Sequence, residues 1–327
     1  MINMKIKSFL FVFILLNGLF LSNLYSQKYD IVDKIVDGYP KNLSNTDQLI
    51  SLINKDFTSP NEKARAVFTW VASNISYDIS LSESMNHASM KAFSYKNEKE
   101  KEVKEKKFKM DLVNTAMSTK KAVCHGYAAL VEYLYLKLGL ETKIILGHLR
   151  TDPSEIGEMP NVLNHAWNVV KIEGKWQFVD TTLASGYISS KTNLFTFHFN
   201  DGYFFTTPEK FFLNHYPIDE KWLLIPESKI HFAQLPVFYG SYFQLNYQIT
   251  KPESGICTTL NNKNFTFAIR GLDQYDTVEY SSSIDNRITY LEQENNKLDY
   301  IIPLVGKENS FISIYVNRKI IAIYKII

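Results

Sequence analysis

The stretch KAVCHGYAALVEYL, from Lys121 to Leu134, places a cysteine at the start of a segment with helical periodicity. Behind Cys124, apolar side chains recur at the three- and four-residue spacing of one helix face. These side chains are Ala128, Val131, Leu134, Tyr135 and Leu138. Gly139 follows them as a helix-ending residue. The pattern therefore predicts that Cys124 lies in the first turn of a helix.

A cysteine at this position has three possible roles: it can fill space, form a disulfide, or act as a nucleophile. The free backbone N–H groups and the dipole of a helix N-terminus favour a thiolate, and they can also hold an oxyanion. The only other cysteine is Cys257. A chain of 327 residues does not need a disulfide to fold, so a pair between Cys124 and Cys257 is an alternative that we do not expect.

Strand-like alternation follows the helix. The runs are ETKIILGHLR (Glu141–Arg150), HAWNVVKI (His165–Ile172) and KWQFVDTT (Lys175–Thr182). Only Glu173-Gly174 separates the last two runs, and a two-residue connection of this kind is typical of an antiparallel hairpin. The sequence therefore predicts an antiparallel sheet next to the helix.

Counting residue pairs outward from the turn puts Trp167 opposite Asp180, with His165 diagonal to Asp180 on the same sheet face. A cysteine nucleophile needs a base, and the base needs a carboxylate to orient it. Each residue alone also fits an ordinary role: a buried thiol, a core histidine, an aspartate in a turn. Packing requirements alone do not readily produce the combination of Cys124, His165 and Asp180, so we interpret them as catalytic residues.

Two other kinds of site share some of these residue types. A metal site would need further ligands, and only His125 lies near Cys124, without a CxxC or HxxxH spacing. A serine hydrolase would need a GxSxG motif, which the chain lacks. We therefore expect no metal and no cofactor.

The first thirty residues have the layout of a secretory signal peptide. Two lysines precede an apolar run from Phe9 to Leu21, and a polar stretch leads to a predicted cleavage site after Ser26. The run is shorter than the roughly 20 residues of a membrane span, although an uncleaved anchor is the alternative. We expect export to the periplasm or the extracellular space, with no stable membrane insertion after cleavage.

The remaining chain is long enough for two domains, which we place at residues 27–236 and 237–327. Short alternating runs predict a β-sandwich, Ig-like, in the second; examples are SYFQLNYQIT (Ser241–Thr250), NFTFAIR (Asn264–Arg270) and FISIYVN (Phe311–Asn317). A net charge of +2 gives no reason to expect a nucleic-acid partner. In YKNEKEKEVKEKKFK (Tyr95–Lys109), Lys and Glu nearly cancel, which favours a solvated helix or excursion.

Four segments together resemble the transglutaminase-like superfamily, and in particular its kyphoscoliosis-peptidase-type branch. They are TWVASNISYD (Thr69–Asp78), VCHGYAALVEYLYLKLGL (Val123–Leu140), NHAWNVVKIEGKWQFVDTT (Asn164–Thr182) and YFFTTPEKFFLNHYPIDEKWLLI (Tyr203–Ile225). The likeness covers about residues 61–236. It implies an α+β, papain-like core in which the nucleophile helix packs on an antiparallel sheet.

The resemblance also implies roles for individual residues. Cys124 matches the nucleophile, His165 the base and Asp180 the orienting acid of a Cys-His-Asp triad. For oxyanion or substrate binding the candidates are Tyr77 and Trp167, although we prefer to interpret Tyr77 as a core aromatic residue that closes the helix. At position 125 the family leads us to expect Gln, Glu or Ser, so His125 departs from the family pattern; a side chain that simply faces solvent is one explanation.

Two function hypotheses follow. The first is an exported cysteine-dependent enzyme that transfers acyl groups from amide or peptide bonds through a thioester, with a protein or peptide as substrate. We favour a peptidase or amidase over a crosslinking transglutaminase. The second is a non-catalytic surface-binding module that retains the fold and binds a partner through its C-terminal β domain.

Overall fold

The computed structural model describes residues 29–87, 95–245, 247–258, 264–292, 299–303 and 310–327. The predicted signal peptide, residues 1–26, lies outside these ranges. Among the helices that can be described, none combines the length and the apolar composition of a membrane span.

The described helices lie in the first three quarters of the chain, and one of them begins at Cys124. In chain order they are α1 (29–37), α2 (Thr46–Asp56), α3 (Pro60–Asn74), α4 (Ile79–His87), α5 (Glu98–Thr119), α6 (Cys124–Lys137), α7 (Thr181–Ser185), α8 (Pro208–Phe211), α9 (Lys229–Gln234) and α10 (Gly240–Gln244). The start of α3 is set locally. The Ser59 side chain accepts from the Glu62 backbone N–H, and the Glu62 carboxylate accepts from the Ser59 backbone N–H, a capping box.

Helix α6 begins at Cys124, as the sequence predicts, and its predicted apolar face is buried. Burying each large side chain of that face contributes about 1.5–3 kcal/mol. The helix gives way to Gly139, which has a φ of 81°, a left-handed conformation that glycine adopts at no steric cost. Helix α6 is thus a central core element that carries the thiol at its N-terminal end.

The sheet under α6 contains five antiparallel strands. Its strands are β3 (Thr142–Leu149), β4 (His165–Ile172), β5 (Lys175–Val179), β8 (Phe204–Thr206) and β9 (His215–Pro217). Two short strands, β1 (Ser76–Tyr77) and β2 (Lys121–Ala122), precede them in the chain. Between β5 and β8 the chain forms a separate hairpin of β6 (Gly186–Ile188) and β7 (Phe195–Phe197). The order across the sheet is β8-β5-β4-β3-β9. A side-chain hydrogen bond from Asn168 Nδ2 to the Ala128 carbonyl, 3.0 Å, ties β4 to α6.

The hairpin of β4 and β5 has the predicted register. Ile172 pairs with Lys175, and the two turn residues Glu173 and Gly174 have φ values of 50° and 79°. Positive φ at both central positions is the signature of a type I′ turn, whose twist matches that of the flanking strands. The turn therefore fixes which residues of the two strands face each other.

The Lys- and Glu-rich segment is helical over its larger part. It forms the N-terminal half of α5, and its charges pair along the helix, as in the contact of Lys104 with Glu100 at 2.9 Å. Lys109 reaches Glu132 on α6 at 2.6 Å. The expectation of a solvated helix is confirmed for these residues.

The C-terminal region is built mainly from strands. They are β10 (Val237–Phe238), β11 (Gln248–Lys251), β12 (Ile256–Cys257), β13 (Asn264–Arg270), β14 (Val278–Ser282), β15 (Thr289–Leu291), β16 (Asp299–Pro303), β17 (Ser310–Val316) and β18 (Lys319–Ile326). One sheet has the order β10-β18-β17-β14-β15, with β12 parallel to β18, and the other has the order β11-β13-β16. Tyr324 of the first sheet contacts Phe265 and Phe267 of the second, so the sheets pack through aromatic side chains.

One predicted strand is wrong in its first half. Residues Ser241–Gln244 lie in the short helix α10, and only Gln248–Lys251 form a strand. Tyr242 and Phe243 are both buried, and the Phe243 ring stacks on Tyr203 with centroids 4.8 Å apart. Adjacent buried aromatics do not alternate between two faces, so a helical turn buries them better than a strand. The domain boundary near Pro236 stays a prediction.

Strand β3 lies between the strands that carry His165 and His215, and it has no side chain at Gly147, the position opposite His165. Gly147 pairs with His165 on one side and Pro217 on the other. A Cβ atom at this position would lie 2.3 Å from the Tyr216 carbonyl oxygen and 2.4 Å from the ring of Trp167. Glycine here allows the Trp167 ring to lie across β3.

We predict that Gly147→Ala lowers the free energy of unfolding by about 1–3 kcal/mol, because β9 or the Trp167 ring must move to admit one methyl group. Urea unfolding of the purified protein measures the change. Lys143→Ala, an exposed position on the same strand, serves as the control and should stay within about 0.5 kcal/mol of wild type. Equal stability of the two variants would contradict the packing described for Gly147.

Candidate active site

The thiol of Cys124 lies at the N-terminal end of α6, and the residue as a whole is 9% exposed. The first backbone N–H groups of a helix have no partner within the helix and carry the positive end of its dipole. A sulfur in this position is therefore stabilised as the thiolate and has amide donors beside it.

His165 begins β4, and Asp180 directly follows β5 as the residue that caps α7. The Nε2 atom of His165 lies 2.7 Å from Oδ2 of Asp180. Both side chains are buried. Because Asp180 engages Nε2, the other ring nitrogen, Nδ1, is the one left to exchange a proton with the Cys124 sulfur.

The charges of these groups depend on one another. Burial alone would raise the pKa of the Cys124 thiol, but contacts with His125 and His165 outweigh it and lower the pKa to about 6. Burial lowers the pKa of His165, yet the charge and hydrogen bond of Asp180, with the contact to Cys124, raise it to about 10. Near pH 7 the arrangement is therefore a thiolate beside an imidazolium.

The Asp180 carboxylate is ionised in spite of its burial. Desolvation raises its pKa, but the positive charge and hydrogen bond of His165 and the hydrogen bond from His215 hold the pKa well below the usual range. A buried charge of this kind is tolerated only when it is paired and fully hydrogen-bonded.

His215 is a member of this cluster that the sequence did not single out. It begins β9, is 1% exposed, and places Nε2 3.0 Å from the same Oδ2 atom of Asp180 that His165 contacts. Burial lowers the pKa of His215 to about 4, so its imidazole is neutral at pH 7. A strand of three residues is too short to show a periodic pattern, so the sequence does not predict β9. The one sequence signal for a role of His215 was its place in the family-like segment Tyr203–Ile225.

His165, Asp180 and His215 each offer one ligand atom, all within 4.8 Å of one another, a set whose residue types could hold a metal ion. Hydrogen bonds already connect both histidines to the carboxylate. A cation between them would have to replace both Nε2 protons, so we interpret the three side chains as a hydrogen-bonded cluster.

The structure places the two tentative binding residues differently. Tyr77 is partly buried on β1, next to the strand that precedes α6; its hydroxyl lies 3.1 Å from Ser82 Oγ, and burial raises its pKa, with the Cys124 thiolate adding to the effect. Trp167 is 1% exposed and lies beside the rings of His165 and His215. The charge of the Cys124 thiolate therefore acts on Tyr77, whereas Trp167 is a core residue that packs against the two histidine rings. Their roles in oxyanion or substrate binding stay predictions.

His125, which departs from the family pattern, lies beside the thiol. Its side chain is partly buried instead of facing solvent freely, and Nδ1 lies 3.6 Å from the Cys124 sulfur. The helix start turns residue 125 toward the thiol of its neighbour, which residue spacing alone does not reveal. Cys124 thus has an imidazole on each of two elements, α6 and β4.

The second cysteine is separate from this site. Cys257 lies on β12, is 8% exposed, and burial raises the pKa of its thiol to about 12. Both cysteines are free, which rules out the disulfide alternative.

Comparison with known proteins agrees with this geometry. The core of the transglutaminase-like superfamily matches residues 48–181, which include the cysteine, histidine and aspartate described above. This region belongs to the transglutaminase-like superfamily. The predicted superfamily and its α+β, papain-like fold are therefore confirmed.

Curated relatives that are similar to this chain support the predicted branch. Kyphoscoliosis peptidase from Homo sapiens is 26% identical over 223 residues, which are 67% of this chain and 31% of the relative. Hillarin from Drosophila melanogaster is 24% identical over 152 residues, 40% of this chain and 18% of the relative. The chain thus spans about a third or less of the length of these relatives. A crystal structure of a TGase overlaps 55% of this chain and 38% of its own, with 19% identity and a TM-score of 0.30.

We predict that iodoacetamide alkylates Cys124 selectively in the native protein, with a rate that rises through a midpoint near pH 6, because only the thiolate reacts. Cys257 should stay unmodified below its pKa of about 12. Mass spectrometry of timed samples between about pH 4 and 9 measures both. Cys257→Ala should retain the reaction and Cys124→Ala should lose it. A native rate no higher than that of the denatured protein would contradict an activated thiol.

We also predict that His125→Ala raises the alkylation midpoint of Cys124 by about 0.5–1 pH unit, because one hydrogen-bond donor to the thiolate is lost. The same kinetic measurement applies. His231→Ala is the matched control, since His231 is a partly buried histidine on α9 whose partner is Glu227. An unchanged midpoint in the His125 variant would show that the contact does not stabilise the thiolate.

Proposed function

We propose that this protein is an exported, cysteine-dependent enzyme that transfers acyl groups from amide or peptide bonds, with water as the preferred acceptor. The observation that carries the proposal is the arrangement of charges around Cys124. The Cys124 thiolate lies at a helix N-terminus, His165 is an imidazolium, and the buried Asp180 carboxylate is hydrogen-bonded to that imidazolium. A residue that only fills space has no need of an ionised partner, whereas a nucleophile does.

In the first half of the reaction the Cys124 sulfur attacks the carbonyl carbon of an amide. The carbonyl oxygen becomes negatively charged and is stabilised by the free N–H groups at the start of α6. As the C–N bond breaks, His165 donates its Nδ1 proton to the leaving amine, and a thioester with Cys124 forms.

In the second half His165 is neutral and acts as the base. It takes a proton from the acceptor, whose oxygen or nitrogen attacks the thioester carbon, and the C–S bond breaks to release the thiolate. Water as the acceptor releases a carboxylic acid, and a lysine amine yields a new amide bond. Asp180 keeps the His165 ring in one orientation through both halves.

Hydrolysis is favoured over crosslinking by the likeness to a protein named as a peptidase. That relative matches 67% of this chain, although only 31% of the relative is covered. Export is supported by the predicted signal sequence in residues 1–26. The substrate class is therefore a protein or peptide outside the cytoplasm.

We predict that wild-type protein and Cys257→Ala release shorter products from a peptide library, whereas Cys124→Ala is slower by about 10³-fold or more because the thioester cannot form. Mass spectrometry of the products, with and without an added primary amine, separates release of shorter peptides from incorporation of the amine. Equal cleavage by Cys124→Ala would contradict the proposal. Absence of any turnover despite a reactive Cys124 would instead favour the binding module.

A further inference from the structure

Each of the two carboxylate oxygens of Asp180 accepts two hydrogen bonds. Oδ1 accepts the backbone N–H groups of Thr182 at 2.9 Å and Leu183 at 3.0 Å. Oδ2 accepts from His165 at 2.7 Å and from His215 at 3.0 Å. A carboxylate offers about four acceptor positions, so these four donors leave no position for water.

We propose that His215 is a positioning residue that locks the Asp180 carboxylate and, by sharing Oδ2, sets the acid strength of the His165 imidazolium. A carboxylate oxygen that accepts two N–H groups binds each of them less strongly than an oxygen that accepts one. His165 therefore releases its Nδ1 proton more readily to a leaving amine. The consequence for turnover rests on the proposed function, whereas the consequence for the charges does not.

The geometry fixes the tautomer of His215. Oδ2 is an acceptor only, because the carboxylate is ionised, so both Nε2 atoms that approach it must carry a proton. In a neutral imidazole the other nitrogen, Nδ1, then has none. The ring is held in this orientation by Phe211, which stacks on it with centroids 3.8 Å apart and an interplanar angle of 12°.

The surroundings keep His215 neutral. Its ring is enclosed by Phe211, by Trp167 with centroids 5.1 Å apart, and by Tyr203 at 6.3 Å. Among the residues that the structure describes, the ionised groups that face it are Asp180 and His165. Tyr127 and Tyr203, whose charges could also act on Asp180, have pKa values raised mainly by burial and carry none at neutral pH. A neutral donor orients the carboxylate without competing as a second cation.

Two substitutions separate this role from simple packing. In His215→Gln the side-chain amide can still donate to Oδ2, although the ring stack is lost. In His215→Phe the ring and its stack on Phe211 are retained, but the donor is lost. A packing residue would be replaced better by Phe, and a hydrogen-bonding residue better by Gln.

The test uses alkylation of Cys124 by iodoacetamide in the Cys257→Ala background, followed from about pH 5 to 11. The rate should rise in two steps, as the thiol ionises near pH 6 and as His165 loses its proton near pH 10. His215→Phe should move the upper step to higher pH by about half a unit or more, because Asp180 then holds His165 more strongly. His215→Gln should leave it in place. A folded Phe variant with an unchanged upper step would overturn the proposal.

A second measurement does not depend on whether His215→Phe folds. ¹⁵N NMR of the histidine rings should show His215 as the neutral Nε2–H tautomer between about pH 5.5 and 8, with the signal assigned by its absence in His215→Gln. A cationic ring or an Nδ1–H tautomer would overturn the proposal even if His215→Phe fails to fold. Neither experiment requires a substrate, so failure of this inference is distinguishable from failure of the acyl-transfer function.

Discussion

The buried negative charge of Asp180 is the constraint on which the arrangement of the site depends. An ion pair removed from water is costly unless its hydrogen bonds are complete, and removing one partner leaves a charge that the interior cannot solvate. Asp180 meets this requirement with donors from three elements: the start of α7, the start of β4 and the start of β9. The end of the hairpin and the outer strand β9 must therefore come together around one carboxylate. That requirement couples the fold of the sheet to the protonation of His165, and through His165 to the thiol.

The packing of the sheet around this carboxylate requires a position without a side chain on β3. Gly147 on β3 lies between β4 and β9, and the space above it is filled by the Trp167 ring. Trp167 in turn contacts the rings of both His165 and His215. Helix α6 lies against the same sheet and supplies the sulfur from its first residue. The site is thus built on helices and strands whose positions are set by the core. The absence of a side chain at Gly147 is needed for this arrangement, because it leaves room for the Trp167 ring that contacts both histidines.

Local patterns were sufficient to predict the helix that begins at Cys124, the hairpin and the meeting of His165 with Asp180. The stripe behind Cys124 and the two-residue turn at Glu173-Gly174 act over a few residues, so helix periodicity and turn geometry decide them without reference to the rest of the chain. The same reasoning placed a strand over Ser241–Gln244, where buried aromatic side chains produce a helical turn. It also did not place the His125 ring beside the thiol, although the ring approaches the sulfur to 3.6 Å.

By itself, the sequence determined the helix that begins at Cys124, the register that pairs the strands of His165 and Asp180, and the likeness to the transglutaminase-like superfamily. All three depend on neighbours in the chain or on recognisable short motifs. Only the tertiary structure decided that His215 completes the cluster. It lies 35 positions after Asp180 in the chain, and its strand is three residues long. Nothing local determines where such a strand lies, because its position follows from pairing with β3 and from the need to satisfy a buried carboxylate.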